Sequence, residues 1–244
     1  MSDAVETPAA PPEARRVFHV ERLPLAERYA GWLADPGTVR GLIGPREVPR
    51  LWDRHILNCA VLAELIPQRA TVADVGSGAG LPGLVLAIAR PDLRLTLIEP
   101  LLRRTTFLAE VAGDLGLENV EVVRARADAL HGARVFDVVT SRAVAPLSRL
   151  LEWSMPLVAP TGALVAMKGS SAEEEISEAS GDLSELGCGR PEVITLGGQT
   201  LASATVAVRV PWADPSQVSL PSARGGSVRR TSRGGTRNSS RRRR

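Results

Sequence analysis

The sequence predicts an α/β fold: a doubly wound, Rossmann-like domain with a seven-stranded, mostly parallel sheet, an antiparallel last strand and an N-terminal helical extension. Three observations predict it. From residue 71 onward, short β-rich runs alternate with stretches of helical periodicity, the pattern of a parallel sheet covered on both faces. The first β-rich run leads straight into a glycine-rich turn, GSGAGLPG over 76–83. The last two runs, 192–196 and 204–210, flank a Gly-Gly loop with no helix between them, as a closing hairpin would.

Each element follows from local pattern. Residues 1–14 are rich in Ala and Pro and are expected to be disordered. A helical segment over 15–67 comes next. In its first helix, 24–34, Leu25, Tyr29, Trp32 and Leu33 recur at i, i+4, i+7 and i+8. In its second, 49–65, Trp52, Ile56, Cys59, Ala60 and Ala63 line one face and Leu57, Val61 and Leu65 another, so it should be mostly buried. The main domain is placed at 68–212. Its strands are expected at 71–75, 93–99, 120–125, 136–141, 162–168, 192–196 and 204–210. Between them, Leu81, Leu84, Val85 and Ile88 mark one helix and Leu108, Val111, Ala112 and Leu115 another. Pro146 opens a helix through about 158, and an acidic helix runs over about 172–186. Residues 213–244 read as a disordered, Arg-rich tail.

Composition narrows the class. Residues 222–244 hold nine arginines and no acid, so the rest of the chain has 21 basic against 27 acidic side chains. A mildly acidic body ends in a polycation, and the net charge of +3 belongs to the tail rather than to the fold. The two cysteines, Cys59 and Cys188, have neither metal-ligand nor redox-pair spacing, and no metal site is expected. No secretory leader and no long apolar run is present, so the expectation is a soluble, cytoplasmic protein, monomeric by default, with no membrane partner.

The turn Asp74-Val75-Gly76-Ser77-Gly78-Ala79-Gly80 joins the first strand to the first helix, where open α/β sheets bind their ligands. Glycine there lets the backbone approach a ligand closely, and the helix start offers free amides. A dinucleotide fingerprint would require a small residue where Leu81 stands. The spacing here is G-x-G-x-G instead, with Asp74 two residues before the first glycine. An acid at an apolar strand end is costly unless a ligand needs it, and a sulfonium cofactor with an α-amino group does. Glu99, ending the second strand, is placed to accept ribose hydroxyls, and Asp128, just past the third, to meet an adenine edge. Asp74, Gly76, Ser77, Gly78, Gly80, Glu99 and Asp128 together point to S-adenosylmethionine.

The fourth and fifth strands end at Ser141-Arg142-Ala143 and Met167-Lys168-Gly169, on the same edge as the glycine turn. Arg142 and Lys168, the latter the chain's single lysine, are expected to face the methyl acceptor. On the second N-terminal helix His55 and Asn58 share a face, either as a hydrogen-bonded core pair or as part of a pocket mouth.

Arg54-His55-Ile56-Leu57-Asn58, VADVGSGAGLPG over 72–83, Phe136-Asp137 through Ser141-Arg142-Ala143, and Met167-Lys168-Gly169 together resemble the RsmG (GidB) family of ribosomal RNA methyltransferases. The likeness spans about residues 24–210. It implies a class I methyltransferase fold and methylation at N7 of one guanine in the 530 loop of 16S rRNA, guanine 527 in the family's usual numbering. It implies cofactor contacts at Gly76, Leu81, Ala127, Asp128 and Arg142, and a partner that is 16S rRNA or the small ribosomal subunit. The family often carries an acid where Asn58 stands, which sets Asn58 apart from proton chemistry. With N7 as the nucleophile, Arg142 must contact O6 or phosphate rather than N7 itself, and Lys168 is expected on RNA backbone or the base edge. A small-molecule methyltransferase and a non-catalytic ribosome-assembly factor are the rival readings, ahead of a dehydrogenase, which Leu81 disfavours.

Overall fold

A computed structural model describes residues 7–198, 201 and 204–218. Seven strands form one sheet: β1 (Thr71–Val75), β2 (Arg94–Ile98), β3 (Val120–Val123), β4 (Phe136–Arg142), β5 (Val158–Lys168), β6 (Glu192–Leu196) and β7 (Thr205–Pro211). Their order is β3-β2-β1-β4-β5-β7-β6. All pairings are parallel except those of β7, which runs antiparallel to both β5 and β6. This is the class I methyltransferase arrangement. The strand order reverses between β1 and β4, so a crevice opens beyond their carboxyl ends.

Alternation along the strands feeds two cores. Val72, Leu95, Leu97, Val138 and Val165 face one layer, with α4 (Gly83–Ala89) and α5 (Leu102–Asp114) packed over them. Ala73, Ile98, Val139, Leu164 and Val208 face the other, under α6 (Leu147–Ser154), α7 (Ala172–Glu178) and α8 (Ser180–Glu185). The N-terminal segment belongs to the first core: α1 (Ala14–Val17) and α2 (Leu23–Trp32), with the residues that follow them, bury Phe18, Tyr29 and Leu33 against it. Among the described residues, no helix is long and apolar enough to cross a membrane.

Several expectations differ from the structure. Residues 7–14 lie against the body rather than loose, with Trp52 Nε1 donating to the Pro8 carbonyl at 2.9 Å and Ala14 buried. The helix expected over 49–65 is a succession of windings: a 3-10 turn Pro45–Arg50, a π-helical turn Leu51–Ile56, α3 (Leu57–Ala60) and a 3-10 turn Val61–Leu65. Burial of Leu51, Trp52, Ile56, Leu57, Cys59, Val61 and Leu62 on all sides stabilises this segment by packing, so its winding need not be uniform. The helix after Pro146 stops at Ser154, because Pro156 has no N–H to continue it, and β5 begins at Val158. The acidic helix is split at Ala179, where Ser180 and Gly181 weaken it. The tail expected to be disordered from residue 213 is ordered through Val218, with Ala213 N donating to the Gly187 carbonyl at 3.1 Å and a 3-10 turn at Pro215–Gln217; residues beyond Val218 lie outside the described residues.

Candidate active site

A cavity of about 690 Å³ opens at the carboxyl ends of β1, β2 and β4. That volume is typical of small-molecule sites. Its floor is the glycine turn. Gly76, Gly78 and Gly80 have φ of 72°, 57° and 97°, the left-handed region that favours glycine. At Gly76 a Cβ would also lie 2.8 Å from Val144 Cγ2, so the loop after β4 closes directly on the turn.

Glu99 is fully buried beside this floor. Its Oε2 accepts from Gly78 N at 3.1 Å and its Oε1 from Leu101 N at 3.1 Å, while Arg104 Nη1 stands 3.5 Å from Oε2. The carboxylate is thereby held at the cavity wall with lone pairs to spare. Beyond it Ile98, Pro100, Leu101, Ala125, Ala127 and Trp153 form an apolar slot. Asp128 marks the slot's end; Arg126 bonds its carboxylate at 3.1 Å and holds it below the usual range. A planar base with a polar edge fits there, and a diol fits at Glu99.

Asp74 is arranged differently from the sequence reading. It is fully buried beneath the turn and does not line the cavity. Its Oδ2 accepts from Gly83 N at 3.0 Å, and Oδ1 has no partner among the described residues. Burial is the main reason its carboxyl is raised to about 7; the nearby Glu99 adds to it, while the Gly83 hydrogen bond opposes it. The direct contact expected from Asp74 to a cofactor is therefore replaced by a supporting one, because the side chain faces α4 rather than the crevice. Gly83 is what makes this possible. A Cβ there would lie 2.6 Å from Asp74 Oδ2 and collide with Leu97 Cδ2. The close helix–sheet approach that a dinucleotide fold obtains at the position of Leu81 is obtained here two residues later.

Arg142 ends β4 and lines the cavity, as does His55 from the π-helical turn. The two are in contact, with Arg142 Nη2 donating to His55 Nδ1 at 2.9 Å. Arg142 also donates to the Arg54 carbonyl at 3.1 Å and to Cys59 Sγ at 3.2 Å. The N-terminal segment thus completes one wall of the site.

The model of the family described as "GidB: rRNA small subunit methyltransferase G" matches residues 22–199. The chain belongs to this family. A ribosomal RNA small subunit methyltransferase G of Nocardioides sp. is 65% identical over 250 residues, covering 100% of this chain and 99% of that one. Its Streptomyces coelicolor counterpart is 54% identical over 211 residues, covering 86% and 88%. A solved structure from Pyrococcus horikoshii, 14% identical, superposes with a TM-score of 0.52 over 64% of this chain and 63% of the other, a likeness of fold.

In this methyltransferase G family member the structure brings Gly76, Ser77, Gly78, Leu81, Glu99, Ala127, Asp128, Arg142 and His55 together around one cavity. Asp74, Gly80, Asn58 and Lys168 are off its wall. Asn58 donates to the Arg54 carbonyl at 3.2 Å, within its own segment. Lys168 turns inward: Nζ meets Glu175 Oε2 at 2.7 Å and the Ala145 carbonyl at 3.0 Å, with 8% of the side chain exposed. The expectation that Lys168 faces RNA is corrected accordingly, because the nearby α7 supplies Glu175 and draws the ammonium inward. Glu175 Oε2 also accepts from Leu147 N at 3.0 Å, so Lys168 organises the loop that presents Val144 to Gly76. Tyr29, Glu47, Gly83 and Arg104 were not read from the sequence as site residues. The Gly83 of Leu-Pro-Gly was the one with a local signal, a fourth glycine at the helix start. The others are brought in by tertiary packing.

Proposed function

We propose that the chain binds S-adenosylmethionine in this cavity and methylates N7 of a guanine in small-subunit rRNA, the 530-loop guanine its family resemblance implies. The observation that carries the reading is the meeting of the glycine turn, buried Glu99 and Arg142 in one cavity. Membership of the methyltransferase G family supports the nucleic acid as acceptor.

When bound, the cofactor supplies an electrophilic methyl group on a cationic sulfur. The chain's residues do the rest by binding and orienting. Gly76 and Gly78 let backbone amides approach the ligand; Glu99 would hold the ribose hydroxyls; Ala127 and Asp128 would take the adenine. Guanine N7 carries its own lone pair, so no residue has to remove a proton from it first. Catalysis then rests on alignment, the kind of contribution that near-attack positioning makes. Arg142, at the cavity wall, would hold guanine O6 or a phosphate and leave N7 free. His55, which bonds Arg142 at the same wall, would act on the RNA through it.

Arg-rich residues 222–244 would add phosphate contacts without sequence preference. Their deletion should flatten the salt dependence of RNA binding. Mass mapping of small-subunit rRNA incubated with the chain and labelled cofactor tests the central claim. A single labelled guanine whose label is lost on depurination supports it. Cofactor binding with transfer to no ribosomal substrate would replace it with a non-catalytic role.

A further inference from the structure

Arg142 is pinned from outside its own strand, and the pin begins at an acid. Glu47 lies on the 3-10 turn Pro45–Arg50, immediately before the π-helical turn that carries Arg54 and His55. Its Oε2 is 2.7 Å from His55 Nε2, and its Oε1 is 3.6 Å from Arg54 Nη1. On the far side of the same imidazole, Nδ1 is 2.9 Å from Arg142 Nη2.

Donor and acceptor inventory fixes the protonation of His55. A guanidinium offers only N–H groups, so the Nδ1 it meets must carry a lone pair. An ionised carboxylate only accepts, so the Nε2 it meets must carry the proton. One neutral tautomer satisfies both neighbours. The other tautomer, and the imidazolium, would each set an N–H at Nδ1 against an N–H of Arg142.

We propose that Glu47 is a positioning residue for methyl transfer: it holds His55 in the Nε2–H tautomer and, through Nδ1, fixes the Arg142 guanidinium at the cavity wall. This rests on the reading of the cavity as the transfer site. Arg142 has three further acceptors in the same segment, the Arg54 and His55 carbonyls and Cys59 Sγ, so the guanidinium follows wherever that segment is held. The carboxylate grips the segment at both Arg54 and His55. A solvent-exposed ion pair would have little consequence, but His55 is 12% exposed and its ring is bonded on both edges.

The charged groups facing His55 are Glu47 and Arg54 from its own segment and Arg142 from β4. Burial holds the imidazole below its usual value, Glu47 opposes this, and Arg142 and Arg54 reinforce it. Removing Glu47 should therefore lower the His55 titration midpoint further.

Imidazole 15N NMR on the full chain tests this, since the sequence holds three histidines and His55→Gln identifies the signal. The wild type should show the Nε2–H tautomer at pH 8. Glu47→Ala should loosen the segment, so that Nδ1 and the guanidinium part in a fraction of molecules and both tautomers appear; the midpoint should fall, and turnover on small-subunit rRNA should drop about tenfold at saturating cofactor, the scale of one charge-assisted hydrogen bond. Glu47→Gln keeps an acceptor oxygen and should keep the tautomer and recover most of the turnover. An unchanged tautomer or unchanged turnover in Glu47→Ala overturns the proposal, as does a Gln variant as slow as the Ala variant. Absence of rRNA methylation by the wild type is a failure of the functional reading instead; the spectra then still decide whether Glu47 sets the tautomer.

Discussion

Tyr29 donates its hydroxyl to the carbonyl of Ala79 across 2.9 Å, joining the first long N-terminal helix to the floor of the cavity. The ring is fully buried, and burial raises the phenol well above its ordinary value, so it remains a donor at any working pH. Ala79 sits between Gly78 and Gly80, whose left-handed conformations leave the turn with little side-chain support of its own. Tyr29→Phe keeps the packing and removes the bond. The buried carbonyl is then left without its partner, at a cost of about 1–3 kcal/mol. We expect a lower denaturation midpoint together with weaker cofactor binding by calorimetry. Loss of stability with unchanged cofactor affinity would mean that the hydroxyl supports the core and not the turn.

The sequence carried the sheet and the glycine turn because both are local. Two strands, 71–75 and 192–196, have the expected limits, since a period of two over β-rich residues needs no knowledge of the neighbours. The turn was legible because glycines at positive φ leave a pattern in the chain. The winding of residues 45–65 was not, because a segment buried on every side has no polar face to mark its register. Lys168 misled for a related reason. Its place at a strand end was legible, but its direction depends on Glu175, which reaches it from another element.

Gly83 is the second test of the turn. Its missing side chain lets α4 approach Asp74 and Leu97, and its N–H is the one hydrogen bond that Asp74 Oδ2 receives. Gly83→Ala would force the helix outward, at about 1–3 kcal/mol for overpacking. It would also shift Gly76, Ser77, Gly78, Ala79 and Leu81, which line the cavity just before it. Cofactor affinity should fall at least tenfold in a titration at a temperature where the variant is folded. Wild-type affinity in a destabilised variant would uncouple the helix approach from the site.

Lys168→Met separates a structural lysine from an RNA-binding one. Removing the ammonium leaves Glu175 without its cation and the Ala145 carbonyl without its donor. About 2 kcal/mol of stability should be lost, less than for a fully dry pair because Glu175 retains 21% exposure. Lys168→Met combined with Glu175→Gln should recover part of it. RNA affinity and its salt dependence should stay at wild type in both, because Nζ points away from the surface. A shallower salt slope for the single variant would return Lys168 to the RNA.

Asp74 should write its burial into the pH dependence of stability. Its folded carboxyl is raised to about 7 from an ordinary 3.8, chiefly by burial. Between those values the native chain holds a proton that the unfolded chain does not, so this group makes stability fall as pH rises. The fall begins near pH 4, is complete just above pH 7, and is absent outside that window. Asp74→Asn keeps an oxygen for the Gly83 N–H and has no charge to bury. Other groups, such as Asp92 held low by Arg90, titrate alike in both chains and cancel in the comparison. Each tenfold fall in proton activity inside the window removes about 1.4 kcal/mol. Denaturant melts at pH 5 and pH 8 should therefore show wild type losing about 3 kcal/mol relative to the variant. Parallel stabilities across that range would mean that Asp74 is ionised in the folded chain at pH 5, with a cation or water compensating the oxygen that has no partner.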